Sequence, residues 1–200
     1  MEKETETVQE NTEAKNQILL VSLKLFADKG YFNTSLTDIK NELGLKGTSG
    51  IYQHFSNKQA IAADLHSSIM DSLSVSIDDI RRRNRKSSEQ LREIVDLFFR
   101  LTQDAPDIMK FLLLVRMDEF LPQEQPFMQK APYSKILKII QAGIGAGEIR
   151  AVDPYLAYAY FFGVIEATLK LLLTGTLNKN PEVYLSQAWM AAWNSIAIKK

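Results

Sequence analysis

The chain has no cysteine, only two histidines, and as many basic as acidic residues, 24 of each in 200. Without cysteine there is no disulfide framework, no thiolate zinc site and no thiol nucleophile. The two histidines, His54 and His66, offer little for a histidine metal centre. Neither has a glutamate three residues before it, so the Glu-x-x-His pairs of a carboxylate-bridged metal oxidase are missing. No glycine-rich phosphate loop and no nucleophile elbow occurs. The sequence therefore reads as a non-enzyme with no cofactor and no metal. A net charge of zero announces no polyanionic partner, so the placement of charge is more informative than its sum. Hydrophobic residues at 46% exclude wholesale disorder and leave an ordinary globular chain.

What is present is helical punctuation. Residues 1–13 carry five glutamates against Lys3 and read as a disordered acidic tail rather than a signal peptide. Ile18, Leu19, Val21, Leu23, Leu25 and Phe26 recur at helical spacing, with Gly30 as the stop. Ser35 and Asp38 form a capping box that opens a short helix over 36–43, ending at Gly44. Ser56 to Gln59 repeats the device ahead of a longer helix. The run Arg81 to Lys86, followed by two serines, reads as a solvated helix end. Further helices are expected over 91–101, 108–120 and 133–142, with Gly143, Gly145 and Gly147 as a flexible corner. Asp153-Pro154 and Asn180-Pro181 open the last two, about 154–174 and 181–198. No alternating strand pattern appears, so the fold class is all-α. The stretch 155–174 is long enough to cross a bilayer, but Glu166 and Lys170 sit one turn apart in it. It reads as a helix buried between protein surfaces, and the cytoplasm is the default compartment.

Residues 36–55 give a short helix, a glycine turn and a second short helix, the geometry of a helix-turn-helix. Thr37, Lys46, Thr48, Ser49, Tyr52, Gln53 and His54 supply compact donors, and the second helix has no acid. Residues 14–66 hold six lysines against four acids, a weak positive footprint. On periodicity alone, a plain helical hairpin fits as well. Ile18-Leu19, Leu25-Phe26, Gly30-Tyr31, Thr34-Ser35, Ile39, Leu43-Gly44 and the run Tyr52-x-His54-Phe55-x-x-Lys58 add a resemblance. They are similar to the N-terminal domain of the TetR family of bacterial transcriptional regulators. Lys40 and Ser22 stand where that family usually has alanine, and 44–52 is one residue longer than usual. The resemblance implies base-edge contacts from Thr48, Ser49 and Gln53, and phosphate contacts from Tyr52, His54 and Lys58. Thr34, Ser35 and Thr37 would touch phosphate at the preceding helix start, or serve only as helix-start residues.

The resemblance also divides the chain into the tail, a helix-turn-helix domain over 14–66, and a helical ligand-binding and dimerisation domain over 67–200. Its last two helices would pair with a second subunit through Phe161, Ala167, Leu171, Ala188, Trp189, Ala192, Trp193 and Ile196. An aromatic- and methionine-rich region would hold an unknown small-molecule effector among Phe98, Phe99, Met117, Phe120, Tyr133, Tyr158, Phe162 and Glu166. Glu166 orients a ligand group or pairs with Lys170 at i, i+4. The expected function is a homodimeric repressor that binds a two-fold symmetric duplex operator and changes affinity with ligand. The alternative is an all-α dimeric interaction module without DNA binding.

Overall fold

The computed structural model describes residues 2–116, 120–121 and 127–199. Among them lie α1 (Glu2–Lys29), α2 (Leu36–Glu42), α3 (Ser49–Tyr52), α4 (Lys58–Arg83), α5 (Ser87–Asp104), α6 (Pro106–Leu113), α7 (Ala131–Gly145), α8 (Pro154–Leu173) and α9 (Pro181–Ile196). The described residues contain no β-strand beyond one isolated bridge, Ile149 to Ala197. Two compact units result, Met1–Ser68 with Lys110–Pro122, and Ile69–Met109 with Gln123–Lys200.

The first unit is built on the apolar positions that recur in its short helices. Ile18 and Phe26 of α1, Ile39 of α2, Ile51 of α3 and Ile61 and Leu65 of α4 are all buried, joined by Phe55. Burying each such side chain contributes roughly 1.5–3 kcal/mol. Phe111 stacks on Phe26 with centroids 6.2 Å apart, and Phe120 lies flat on Tyr31 at 3.6 Å. Phe111 and Phe120 therefore pack with the N-terminal segment. Phe120 is part of this core and also lines a cleft of about 370 Å³ beside Tyr31 and Phe32.

In the second unit α8 and α9 pack together most extensively, with α5 and α7 beside them. Asp153 accepts hydrogen bonds from the amides of Tyr155 and Leu156, and Asn180 from that of Glu182, so both expected caps form. The Glu148 carboxylate accepts from the Ser87 and Ser88 amides and from the Ser88 hydroxyl, at 2.9, 3.1 and 2.5 Å, closing the start of α5.

Several boundaries differ from the sequence reading. Residues 2–13 are helical, continuous with α1, rather than a disordered tail. The helix expected to reach Phe120 ends at Leu113. Asn57, not Ser56, caps α4, accepting from the Ala60 amide. Gly143 and Gly145 lie inside α7, and of the three corner glycines only Gly147 has a positive φ. Gly143 is there for room. A Cβ on it would stand 2.7 Å from Ile149 Cδ1 and 3.0 Å from Ser87 Cβ. The Arg81–Lys86 run is an ion-pair cluster. Arg81 meets Asp78, Arg82 meets Asp79, and Arg83 bridges Asp79 and Glu93.

Candidate nucleic-acid interface and ligand cleft

The turn between α2 and α3 is fixed by local bonding. Ser35 caps α2, its hydroxyl accepting from the Asp38 amide while Asp38 accepts from the Ser35 amide and hydroxyl. Those two Ser35 bonds, with Lys29 and Lys58 nearby, hold the Asp38 carboxyl below its usual range. At the other end Gly44 takes φ +67, and the amides of Gly44 and Leu45 donate to the carbonyls of Asn41 and Lys40. That is a Schellman stop, which needs a residue without a Cβ penalty at the left-handed position. The chain then crosses Leu45 to Thr48 and enters α3. α3 begins at Ser49, with Thr48 at its N-cap position.

Ile51 and Phe55 anchor α3 in the core. Ser49, Tyr52 and Gln53, three and four residues apart, are exposed, with Tyr52 54% accessible. Thr48 and His54 are half-buried at the margins, and Lys46 and Thr37 are exposed. Charge follows a simple pattern here. Every acid of residues 14–66 has a lysine partner, in the pairs Lys15–Asp64, Lys24–Glu42, Lys29–Asp38 and Lys110–Asp28. Among the described residues, Lys40 and Lys46 are the lysines of 14–66 with neither an acidic partner nor a hydrogen bond to the chain.

Thr34 points inward, and Lys58 turns toward carbonyls of its own chain. Thr34 is buried, and its hydroxyl faces the carbonyls of Leu25 and Gly30. The Lys58 ammonium donates to the carbonyls of Tyr31 and Thr34 at 2.8 and 2.7 Å and sits 4.1 Å over the Tyr31 ring. Burial pushes its pKa down, with Asp38 opposing. Lys58 thus ties the start of α4 to the loop before α2. Ser35 is consumed by its cap.

In the second unit a cleft of about 340 Å³ is lined by Met128, Tyr155, Tyr158, Ala159, Gly163 and Glu166. Tyr158 stacks on Phe162 with centroids 4.8 Å apart, and Phe162 in turn meets the edge of Phe98. Burial raises the Glu166 pKa, with Lys170 opposing. Among the described residues, no ion pair joins Glu166 to Lys170, although the Lys170 charge acts on it. Burial and the nearby Glu166 charge raise the Tyr133 phenol to about 12, and also raise that of Tyr158.

Residues 18–65 match the family model described as bacterial regulatory proteins, tetR family. This stretch is a tetR-family segment. No curated protein matches the chain. Over most of its length the fold is similar to that of TetR-family regulators. A TetR-family transcription regulator from Marinobacter aquaeolei VT8 is 20% identical, with a TM-score of 0.78 over 96% of this chain and 99% of that one. The Bacillus subtilis regulator FadR, solved with stearoyl-CoA, is 19% identical, with a TM-score of 0.71 over 90% and 98%. The ketosteroid regulator KstR2 of Mycobacterium tuberculosis is 16% identical, with a TM-score of 0.70 over 92% and 95%.

In this TetR-type fold the expected pocket and dimer residues separate by face. Tyr158 and Glu166 line the cleft, Phe162 supports it, and Phe99 is core. Tyr133 is linked to the cleft by the Glu166 charge. Met117 lies outside the described residues. Met128, Tyr155, Ala159 and Gly163 were missed, although 155, 159, 163 and 166 recur at helical spacing on one side of α8. Of the dimer candidates, Phe161, Ala188, Ala192 and Ile196 are buried within the chain and offer a partner no surface. Trp189 and Trp193 are half-buried and stack on each other, with Phe161 edge-on to Trp189 and Arg92 over its ring. Ala167 and Leu171 do face outward, as do Leu156 and Tyr160 of α8, and Val183 and Met190 of α9 are also exposed.

Proposed function

We propose that this chain is a DNA-binding transcription regulator. It works as a cytoplasmic homodimer, represses by occupying a two-fold symmetric operator, and responds to a small molecule bound in the second unit. The observation that carries the reading is the outward stripe of α3. Ser49, Tyr52 and Gln53 are exposed on a helix free of acids and anchored by Ile51 and Phe55. Such a stripe suits base edges and phosphates of the major groove. Thr37, Lys46, Thr48 and His54 flank it as secondary contacts. Lys40 and Lys46 supply its unneutralised charge. Leu156, Tyr160, Leu171, Val183 and Met190 supply the apolar face on which a second copy would pack, making a four-helix bundle of α8 and α9 from both subunits.

Selection from a random duplex pool, followed by fluorescence anisotropy, tests this reading. A two-fold symmetric consensus is expected. Each neutralised phosphate contributes a slope of about −0.9 in log affinity against log salt. Two lysines per subunit in a dimer therefore give about −3 to −4. Tyr52→Ala weakens binding by about tenfold, because one phosphate hydrogen bond per subunit contributes about 0.5–1.5 kcal/mol. No duplex binding at low salt would refute the proposal and leave a dimeric interaction module.

A further inference from the structure

The cleft along α8 contains a carboxylate, Glu166, that no cation of the described residues contacts. Glu166 is half-buried among tyrosines, and among the described residues it has neither a hydrogen bond nor an ion pair. We propose that this cleft binds a small organic cation, an amine or quaternary ammonium joined to an apolar body, with Glu166 as its counterion. This rests on reading the second unit as the effector-binding part.

Three features carry the choice of ligand class. The first is charge. Withdrawing a carboxylate from water is costly unless an opposite charge accompanies it, and Lys170 does not close on it. A cationic guest supplies the missing partner, whereas a guest carboxylate or phosphate would face repulsion. The second is the wall. Tyr155 and Tyr158 line the same cleft, and aromatic faces attract cations through their quadrupoles. The raised phenols of Tyr133 and Tyr158 stay neutral at physiological pH, so they bring no competing charge. The third is size. A volume of about 340 Å³ is at the small end of ligand pockets, which run from about 300 to 1,000 Å³. The space beside Gly163 is open, since a Cβ there meets no atom within 4 Å.

The test uses the full chain and three probes of similar size, benzyltrimethylammonium, benzyl alcohol and 3-phenylpropionate, with affinities read by calorimetry. Benzyltrimethylammonium is expected to bind at least tenfold tighter than the other two. Glu166→Gln should remove that preference, and Gly163→Leu, confirmed as folded by circular dichroism, should abolish binding of the cation. Equal or tighter binding of 3-phenylpropionate overturns the proposal. So does a preference for the cation that survives Glu166→Gln, or no cation binding at all. Duplex binding by the wild type is measured separately. Duplex binding without cation preference sinks the cation site alone. Cation preference without duplex binding keeps the site and removes the regulator reading.

Discussion

Ser22 stands on α1 where the resembling family usually has alanine, and the structure shows what that costs. The residue is fully buried, and its hydroxyl has no hydrogen-bond partner. A buried donor without a partner costs about 1–3 kcal/mol in lost hydration. Serine is also a weaker helix former than alanine, by about 0.5 kcal/mol. Ser22→Ala removes both penalties and leaves a void of only one oxygen atom, which offsets part of the gain. The expected net change is a stabilisation of about 1–2 kcal/mol. For a chain of this size that corresponds to a rise in melting temperature of about 2–8 °C. Urea unfolding followed by circular dichroism at 222 nm, resolved for the transition of the first unit, measures it directly. An unchanged or lower midpoint would show that the hydroxyl is satisfied, and the reasoning would fail.

Gly143→Ala should destabilise the second unit by about 1–3 kcal/mol in the same assay, because the added methyl would press on Ile149 and Ser87. Glu148→Ala should cost about 1–2 kcal/mol by uncapping α5. Burial pushes the Glu148 pKa up, but the hydrogen bonds from Ser88 and the Ser87 amide outweigh it and hold it below its ordinary value. A depressed carboxylate stabilises the fold above its unfolded-state pKa, so the gap between wild type and Glu148→Ala should narrow as pH falls below the usual carboxylate range. Leu171→Glu should leave the monomer folded but separate the dimer, as read by sedimentation. Ala188→Glu, placed in the interior, should unfold the second unit instead.

The helices were legible because their signals are local. Proline after a capping residue, a capping box and a left-handed glycine each act within four residues, and Asp153, Asn180, Ser35 and Gly44 all behave as read. The tetR-family segment was legible for a related reason, since one short stretch carries it. Roles that depend on where a side chain turns were not. Lys58 and Thr34 have the chemistry of phosphate ligands, but the buried Thr34 hydroxyl is turned to chain carbonyls, and two of the three Lys58 donors go to the carbonyls of Tyr31 and Thr34. The stripe Ala188, Ala192 and Ile196 repeats every four residues, which marks a packed face without saying whose atoms pack on it. Phe120 shares composition with the pocket aromatics, yet it stacks on Tyr31. Composition assigns a residue to the interior; only topology says which interior.

The even hydrophobicity of α8 follows from serving three surfaces at once. At about 100° per residue, Ala157, Phe161, Ile165 and Leu169 fall on one side, and all are buried in the chain. Tyr155, Ala159, Gly163 and Glu166 fall on a second side and line the cleft. Leu156, Tyr160, Ala167 and Leu171 fall on a third, which faces outward. Cleft and outward faces are therefore sequence neighbours on one rigid element, as Tyr155 is to Leu156 and Ala159 to Tyr160. A guest that moves or turns α8 must displace that outward face by the same amount. The coupling is limited by preference, not by affinity: a guest that binds both positions of α8 equally changes nothing, however tightly it is held.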